Sequence, residues 1–283
     1  MSSQHNSLRW RSGVNLVVIA AALVAITVIT NTYSFNLMLR NFRQSLSSTA
    51  QIYTEQIRGK VDKINSGSLE LVSLAASSQN YYTSSPLGRY LTQQDILTRL
   101  QDRIRYVESS DLYFFYRTDS DELLTALSNR PSTGSSYFWN QYLMLPPTQP
   151  ANTWFSVTCN GETWLMCYYN VSQVRVGAAV RAKTLLQSLY ADTGLVQDSG
   201  FALAGLDGTI VYSSQPDLMA CGTSLAGHIP ASLIVESHTV PEVGTLLLFR
   251  PSSDLLHQLS GSFGWLLLLN LLALALITTM LLN

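Results

Sequence analysis

Apolar positions are concentrated at the two ends of this chain. One run extends from Val14 to Tyr33 and a second from Gly264 to Leu282, and neither contains Asp, Glu, Lys, Arg or His. A bilayer core of about 30 Å is crossed by about 20 helical residues, and a single charge at mid-bilayer costs roughly 2.5–3.5 kcal/mol even on the lenient insertion scale. Both runs are predicted to be transmembrane helices. After the first run the apolar period stays helical. Leu39, Phe42, Leu46, Thr49, Tyr53, Ile57, Val61, Ile64 and Leu71 recur at steps of mostly three and four, which predicts one long helix from about Asn36 to Gln79. Its stripe can pack on the domain, on a second subunit, or on each at different heights. A second helix is predicted to open at Thr92-Gln93-Gln94-Asp95, which has capping-box form, with Ile96, Leu97, Leu100, Ile104 and Val107 on one face.

From Asp111 the period falls to two. Strands are predicted at Leu112–Arg117, Leu123–Leu127, Trp154–Cys159, Thr163–Asn170 and Val174–Arg181. Asn160-Gly161 is a two-residue hairpin turn that pairs Thr158 with Thr163. The compact aromatic stretch Ser135 to Leu145 is predicted as a short helix ended by Pro146-Pro147. Thr184 to Ala191 reads as helix, Phe201 to Tyr212 as a hairpin about Asp207-Gly208, and Thr245 to Phe249 as one more strand. Pro251 to Ser262 is predicted to lead helically into the second run. The second sheet is either a small lobe or an abbreviated repeat of the first. The fold class is therefore α+β: a long N-terminal helix with antiparallel sheet lobes, flanked by two transmembrane helices.

Charge bounds the partners. Charged residues make up only 12% of the chain, about half the usual share, in part because of the two apolar runs. All 18 acidic residues and 15 of the 17 basic ones lie between the runs, for a net charge of −3. Nucleic acid is excluded as a partner, because a phosphate-binding surface needs clustered Lys and Arg. Arg9 and Arg11 precede the first run with no acid among the first 35 residues, which places the N-terminus inside and the domain outside. The basic flank also fits a signal peptide, but Thr30-Asn31-Thr32-Tyr33-Ser34-Phe35 has no small-x-small cleavage pattern, so an uncleaved anchor is expected.

Cys159, Cys167 and Cys221 are an odd count with no zinc spacing, and are expected to be buried free thiols. His228, His238 and His257 are too far apart in sequence for a zinc motif. There is no Gly-x-Ser-x-Gly, Walker loop or Gly-x-Gly-x-x-Gly, so neither catalysis nor a cofactor is expected. Aromatic residues crowd the first sheet and its crossing segment. Tyr113, Phe115, Tyr137, Trp139, Trp154, Trp164 and Tyr168, with Arg117 as a polar contact, are the candidate walls of a small-molecule pocket. The competing reading is that these rings fill a core. Asp207 is a second polar candidate, or else serves its own turn.

The order of anchor, long helix, aromatic antiparallel sheet, strand-Asp-Gly-strand and second span resembles the extracytoplasmic Cache sensor domains of bacterial receptors, which have PAS-like lobes. The most specific stretch is Gly200 to Ser214, with Leu218 to Leu225 as the following loop and Asp111 to Leu127 as the opening hairpin of the distal lobe. The likeness covers residues 36–260. It implies a tail at 1–13, spans at 14–33 and 264–282, a distal lobe at about 92–183 and a membrane-proximal lobe at about 184–250. It also implies a ligand-binding module of a two-component or chemosensory receptor, homodimeric in the membrane and working through a cytoplasmic signalling domain. The chain ends at Asn283 without such an output module, so a fragment or truncated relative is expected. Ser136-Tyr137-Phe138-Trp139-Asn140 lacks the Arg of the amino-acid-sensing members, so an amino-acid ligand is not supported. The alternative is a membrane-anchored protein-interaction domain that senses nothing. The stripe Leu39, Phe42, Leu46 and Tyr53, with little of its own chain expected beside it, is predicted to form a dimer seam.

Overall fold

A computed structural model describes residues 3–78, 85–106, 110–127, 151–159, 161–191, 199–226 and 229–253, with scattered positions between 264 and 279. The predicted segments at Ser135–Leu145, most of Pro251–Ser262 and most of the second apolar run lie outside the described residues. The chain forms two compact units, one of Met1–Leu46, Ala231–Ile234 and Arg250–Asn283, the other of Ser47–Pro230 and Val235–Phe249.

In the first unit the dominant element is the start of α1 (Ser3–Ser78). Val17, Val18, Val24, Ile26 and Ile29 are all exposed. The hydroxyls of Thr27 and Thr32 donate to the carbonyls of Leu23 and Val28 four residues back, each at 2.8 Å. Such threonines need no water, which suits a lipid-facing helix. This is the one candidate span among the described residues, with a mean hydropathy of 1.9 over its most apolar window. The Arg250 guanidinium lies 5.6 Å from the Phe42 ring centroid, and Ser252 donates its backbone N–H to Ser232.

The second unit is built on the rest of α1. Ala50, Tyr53, Ile57, Val61, Ile64, Leu71 and Ala75 are each at most 3% exposed, so the apolar stripe read from the sequence is a core seam. Each large side chain buried there contributes about 1.5–3 kcal/mol. This corrects the predicted dimer seam. Tyr53 is buried by its own chain, and in the other unit so is Leu46, while Arg250 caps Phe42. α2 (Pro86–Tyr106) begins a turn and a half before its predicted start. The Ser85 hydroxyl accepts the Gly88 N–H at 3.1 Å and Pro86 takes the first helical position. Both are start signals that the Thr92 capping-box pattern obscured.

The first sheet contains β1 (Leu112–Arg117), β2 (Glu122–Leu127), β3 (Phe155–Cys159), β4 (Glu162–Val171) and β5 (Val174–Arg181), in the antiparallel order β2-β1-β5-β4-β3. Thr158 pairs with Thr163 across the hairpin as predicted, and Gly161 takes the left-handed φ of +78° that the turn demands. Two short helices, α3 (Ala182–Leu185) and α4 (Gln187–Ala191), follow. The Lys60 ammonium on α1 donates to the Leu185 carbonyl at 3.0 Å.

The second sheet has four strands, β6 (Gly200–Ala204), β7 (Ile210–Ser213), β8 (Leu233–Val240) and β9 (Gly244–Pro251), in the order β7-β6-β9-β8. This is the order of the first sheet less its last edge strand, so the second lobe is an abbreviated repeat. β8 was not predicted, because Glu236, Ser237 and His238 break its apolar alternation. The Asp207-Gly208 turn is one residue longer than a two-residue hairpin. Gly208 N–H reaches Gly205 O at 3.0 Å and Gly205 N–H reaches Thr209 O at 2.9 Å. With Gly208 at φ +76° this is a type I turn closed by a left-handed glycine. The Asp207 carboxylate accepts from the backbone and hydroxyl of Thr209 at 3.0 and 2.9 Å, so it serves its own turn.

Candidate functional site

The three inner strands of the first sheet are buried on both faces: β1, β4 and β5 each carry five successive buried residues. Strand alternation therefore divides the aromatic set in two. On one face Tyr113 donates its hydroxyl to the Ile64 carbonyl of α1 at 3.4 Å, and Gly67 of α1 leaves room for that ring, since a Cβ there would lie 2.5 Å from the Tyr113 hydroxyl oxygen. Burial raises the Tyr113 phenol far above its ordinary value, against the pull of Arg103 and Ser110. Phe115, two residues on, shares this face.

The opposite face gathers Leu112, Phe114, Tyr116, Trp164, Met166, Tyr168 and Ala179 in one cluster, with Leu123, Ala151 and Phe155 against it. The floor is narrow. Gly177 of the central strand pairs with Phe114 on one side and Tyr168 on the other, and Ala179 follows it. Small residues on β5 between rings on β1 and β4 give this face the relief of a trough, with the Phe114 ring seated in it: its Cζ would lie 2.8 Å from a Cβ on Gly177. The Phe155 and Tyr168 rings meet edge to face at 6.0 Å.

Polar groups sit at both ends of this trough. At one end Arg181 donates from its guanidinium to Asp111 Oδ1 at 2.7 Å and from its backbone N–H to Oδ2 at 2.9 Å. The same guanidinium lies 5.6 Å from the Trp164 ring centroid. Asp111 is only 3% exposed, and its hydrogen bond holds Arg181 firmly charged. At the other end Tyr116 donates to Asp121 Oδ1 at 2.8 Å, with Arg175 directly opposite Tyr116 in the register. Burial raises both the Tyr116 and Tyr168 phenols, and the charge of Arg175 opposes the rise in each.

The eight residues singled out in the sequence are thus not one wall. Trp164 and Tyr168 line the trough. Tyr113 and Phe115 face the long helix. Arg117 forms an ion pair with Asp119 in the β1–β2 turn. Trp154 is 3% exposed, and its indole N–H has no acceptor among the described residues. Tyr137 and Trp139 lie outside the described residues. Sequence reasoning passed over Phe114, Tyr116, Met166, Arg175 and Arg181. With both faces buried, the alternating pattern does not say which face is which. The cysteines also divide: Cys167 is buried and free, Cys221 is free but exposed, against expectation, and Cys159 pairs with Glu162 in the register.

A separate cavity of about 290 Å³ lies between α1 and α2, lined by Glu70, Leu71, Leu74, Arg99, Asp102, Arg103 and Tyr106. Four of these seven are charged, and Arg103 pairs with Glu70. Small-molecule sites are mostly apolar with few polar groups, unlike this charged groove.

No protein-family model and no curated protein matches the chain. Solved structures do. The periplasmic sensory domain of the Campylobacter jejuni chemoreceptor Tlp1 is 9% identical, with a TM-score of 0.51 over 75% of this chain and 96% of that one. The ligand-binding domain of the Pseudomonas aeruginosa amino-acid chemoreceptor PctB, solved with L-Arg, is 13% identical, with a TM-score of 0.49 over 76% and 97%. The sensory domain of the Campylobacter jejuni chemoreceptor Tlp3, solved with isoleucine, is 10% identical, with a TM-score of 0.48 over 80% and 97%. With its two antiparallel lobes on one long helix, and its likeness to the Tlp1 domain, this chain has the fold of an extracytoplasmic Cache sensor domain.

Proposed function

We propose that this chain is the sensor module of a membrane receptor, with its folded domain outside the cytoplasm, and that it binds a small organic ligand over the trough face of the first sheet. The observation that carries this reading is the composition of that face: Phe114, Trp164, Met166 and Tyr168 gather as an apolar aromatic cluster over Gly177 and Ala179, with Arg181 and Arg175 near its two ends. A ligand with an apolar body and one or two polar termini suits such a site. Trp154 adds a buried donor without an acceptor among the described residues.

The apolar start of α1 and the uncharged run Gly264–Leu282 are read as membrane spans that tie both ends of the domain to the bilayer, and the chain is read as acting in a dimer with a cytoplasmic output domain. Ligand would bias the distal lobe between two packings, by no more than its difference in affinity for the two. A protein-interaction domain that senses nothing is the second reading, favoured by the apolar side chains Leu87, Tyr90 and Leu91, all more than half exposed on α2.

A thermal-shift screen of the full chain in detergent micelles, against amino acids, organic acids, amines and aromatic compounds, tests the sensor reading. A true ligand at about 100 times its Kd stabilises by about 2.7 kcal/mol. A panel that leaves the melting temperature unmoved would favour the protein-interaction reading.

A further inference from the structure

The turn between β8 and β9 does more than connect two strands of the second sheet. Glu242 in this turn accepts a hydrogen bond from Asn65 Nδ2 on α1 at 2.8 Å. Asn65 directly follows Ile64, whose carbonyl accepts the Tyr113 hydroxyl of β1 at 3.4 Å. The turn of the second lobe therefore holds the shared helix beside its contact with the first sheet.

The backbone around Glu242 is shaped for this position. Glu242 has a left-handed φ of +67°, a conformation a residue with a Cβ adopts at a cost. Val243 beside it is 1% exposed and donates its N–H to Val240 O at 3.2 Å. Gly244 follows at φ +146°, where a Cβ would meet the backbone of Ala204 and Gly205. The turn is thus anchored on β6 behind and presents Glu242 in front. Glycine would fit the Glu242 backbone better, and what the glutamate side chain adds is the hydrogen bond with Asn65 on α1. Strained positions of this sort are held only where the surroundings over-determine them.

We propose that Glu242 is the coupling residue between the two lobes: through Asn65 it locks the β8–β9 turn to α1 beside the Ile64 carbonyl that Tyr113 of β1 binds, so that a rearrangement of the first sheet is felt by the second. The coupling is a property of the folded chain and does not require that a ligand be known.

Hydrogen exchange read by mass spectrometry on the full chain in detergent micelles tests it, with Glu242→Ala, Asn65→Ala, the double variant and Glu242→Gly. Losing one exposed, charge-assisted hydrogen bond should speed local opening about three- to fivefold. The increase is expected in α1 around residues 61–68 and in β1, as well as in β8 and β9. The double variant should exchange no faster than either single one, since both remove the same link. Glu242→Gly should show the same faster exchange in α1 and β1 while keeping or raising the melting temperature, because it relieves the backbone and still loses the carboxylate. Increases confined to 233–251, or singles that add in the double variant, would overturn the proposal.

Discussion

The ring of Phe114 on β1 lies directly over Gly177 on β5, so closely that a Cβ on residue 177 would fall 2.8 Å from Phe114 Cζ and 2.8 Å from Tyr168 Cα. The ring packs there because the central strand has no side chain at this point. The nearby backbone carbonyl of Cys167 leaves no room to yield. Gly177→Ala is therefore expected to cost about 3 kcal/mol, measured as a shift in the urea midpoint. A neutral result would mean that the floor of the trough is not packed as described.

Asp111 and Arg181 close one end of the first sheet. Truncating Arg181 removes the guanidinium from a carboxylate that is only 3% exposed. Arg181→Ala is expected to destabilise by about 2–4 kcal/mol, and Arg181→Lys to recover only part of this, because an ammonium does not replace a guanidinium that both donates to Asp111 and lies 5.6 Å from the Trp164 ring centroid. Equal stability of Arg181→Ala and the parent in chemical denaturation would contradict the pair's role.

Alkaline pH should unfold the domain early. In an unfolded chain Cys loses its proton near about 8.5 and Tyr near about 10, whereas burial raises Cys167 and Tyr169 to about 12 in the folded state. Between these values the unfolded state binds fewer protons, so rising pH drives unfolding. The stability these groups contribute is fully present below about pH 8.5 and is lost as pH climbs toward 12. Melting temperatures measured from pH 7 to 11 should fall above about pH 9, and Cys167→Ala should flatten the first part of that fall. A flat profile in the parent would count against the burial of these groups.

The sequence carried the periodic elements well and the faces poorly. The stripe from Tyr53 to Leu71 predicted a helix, and Leu112–Arg117 and Val174–Arg181 predicted strands, because 3.6- and 2-residue periods are local properties. The packing of Tyr53 was misjudged, since what covers a stripe is decided by distant residues. β8 was missed because its polar positions hide its alternation. The trough was half legible. Trp164 and Tyr168 stood out as aromatics, but Phe114 and Gly177 gain meaning only once β1, β5 and β4 are adjacent, and a five-strand order cannot be read from spacing.

The most direct test of the central claim is to ask which surface holds the ligand. The compound giving the largest thermal shift on the full chain should be retested, each time against the variant's own melting temperature. Tyr168→Leu and Trp164→Leu alter the trough, Tyr113→Phe alters the helix-facing side, and Asp102→Asn alters the groove between α1 and α2. The parent should shift by about 5 °C or more at saturating compound, the two trough variants should lose the shift, and the other two should keep it. A shift that survives in both trough variants and disappears in Asp102→Asn or Tyr113→Phe would contradict the account.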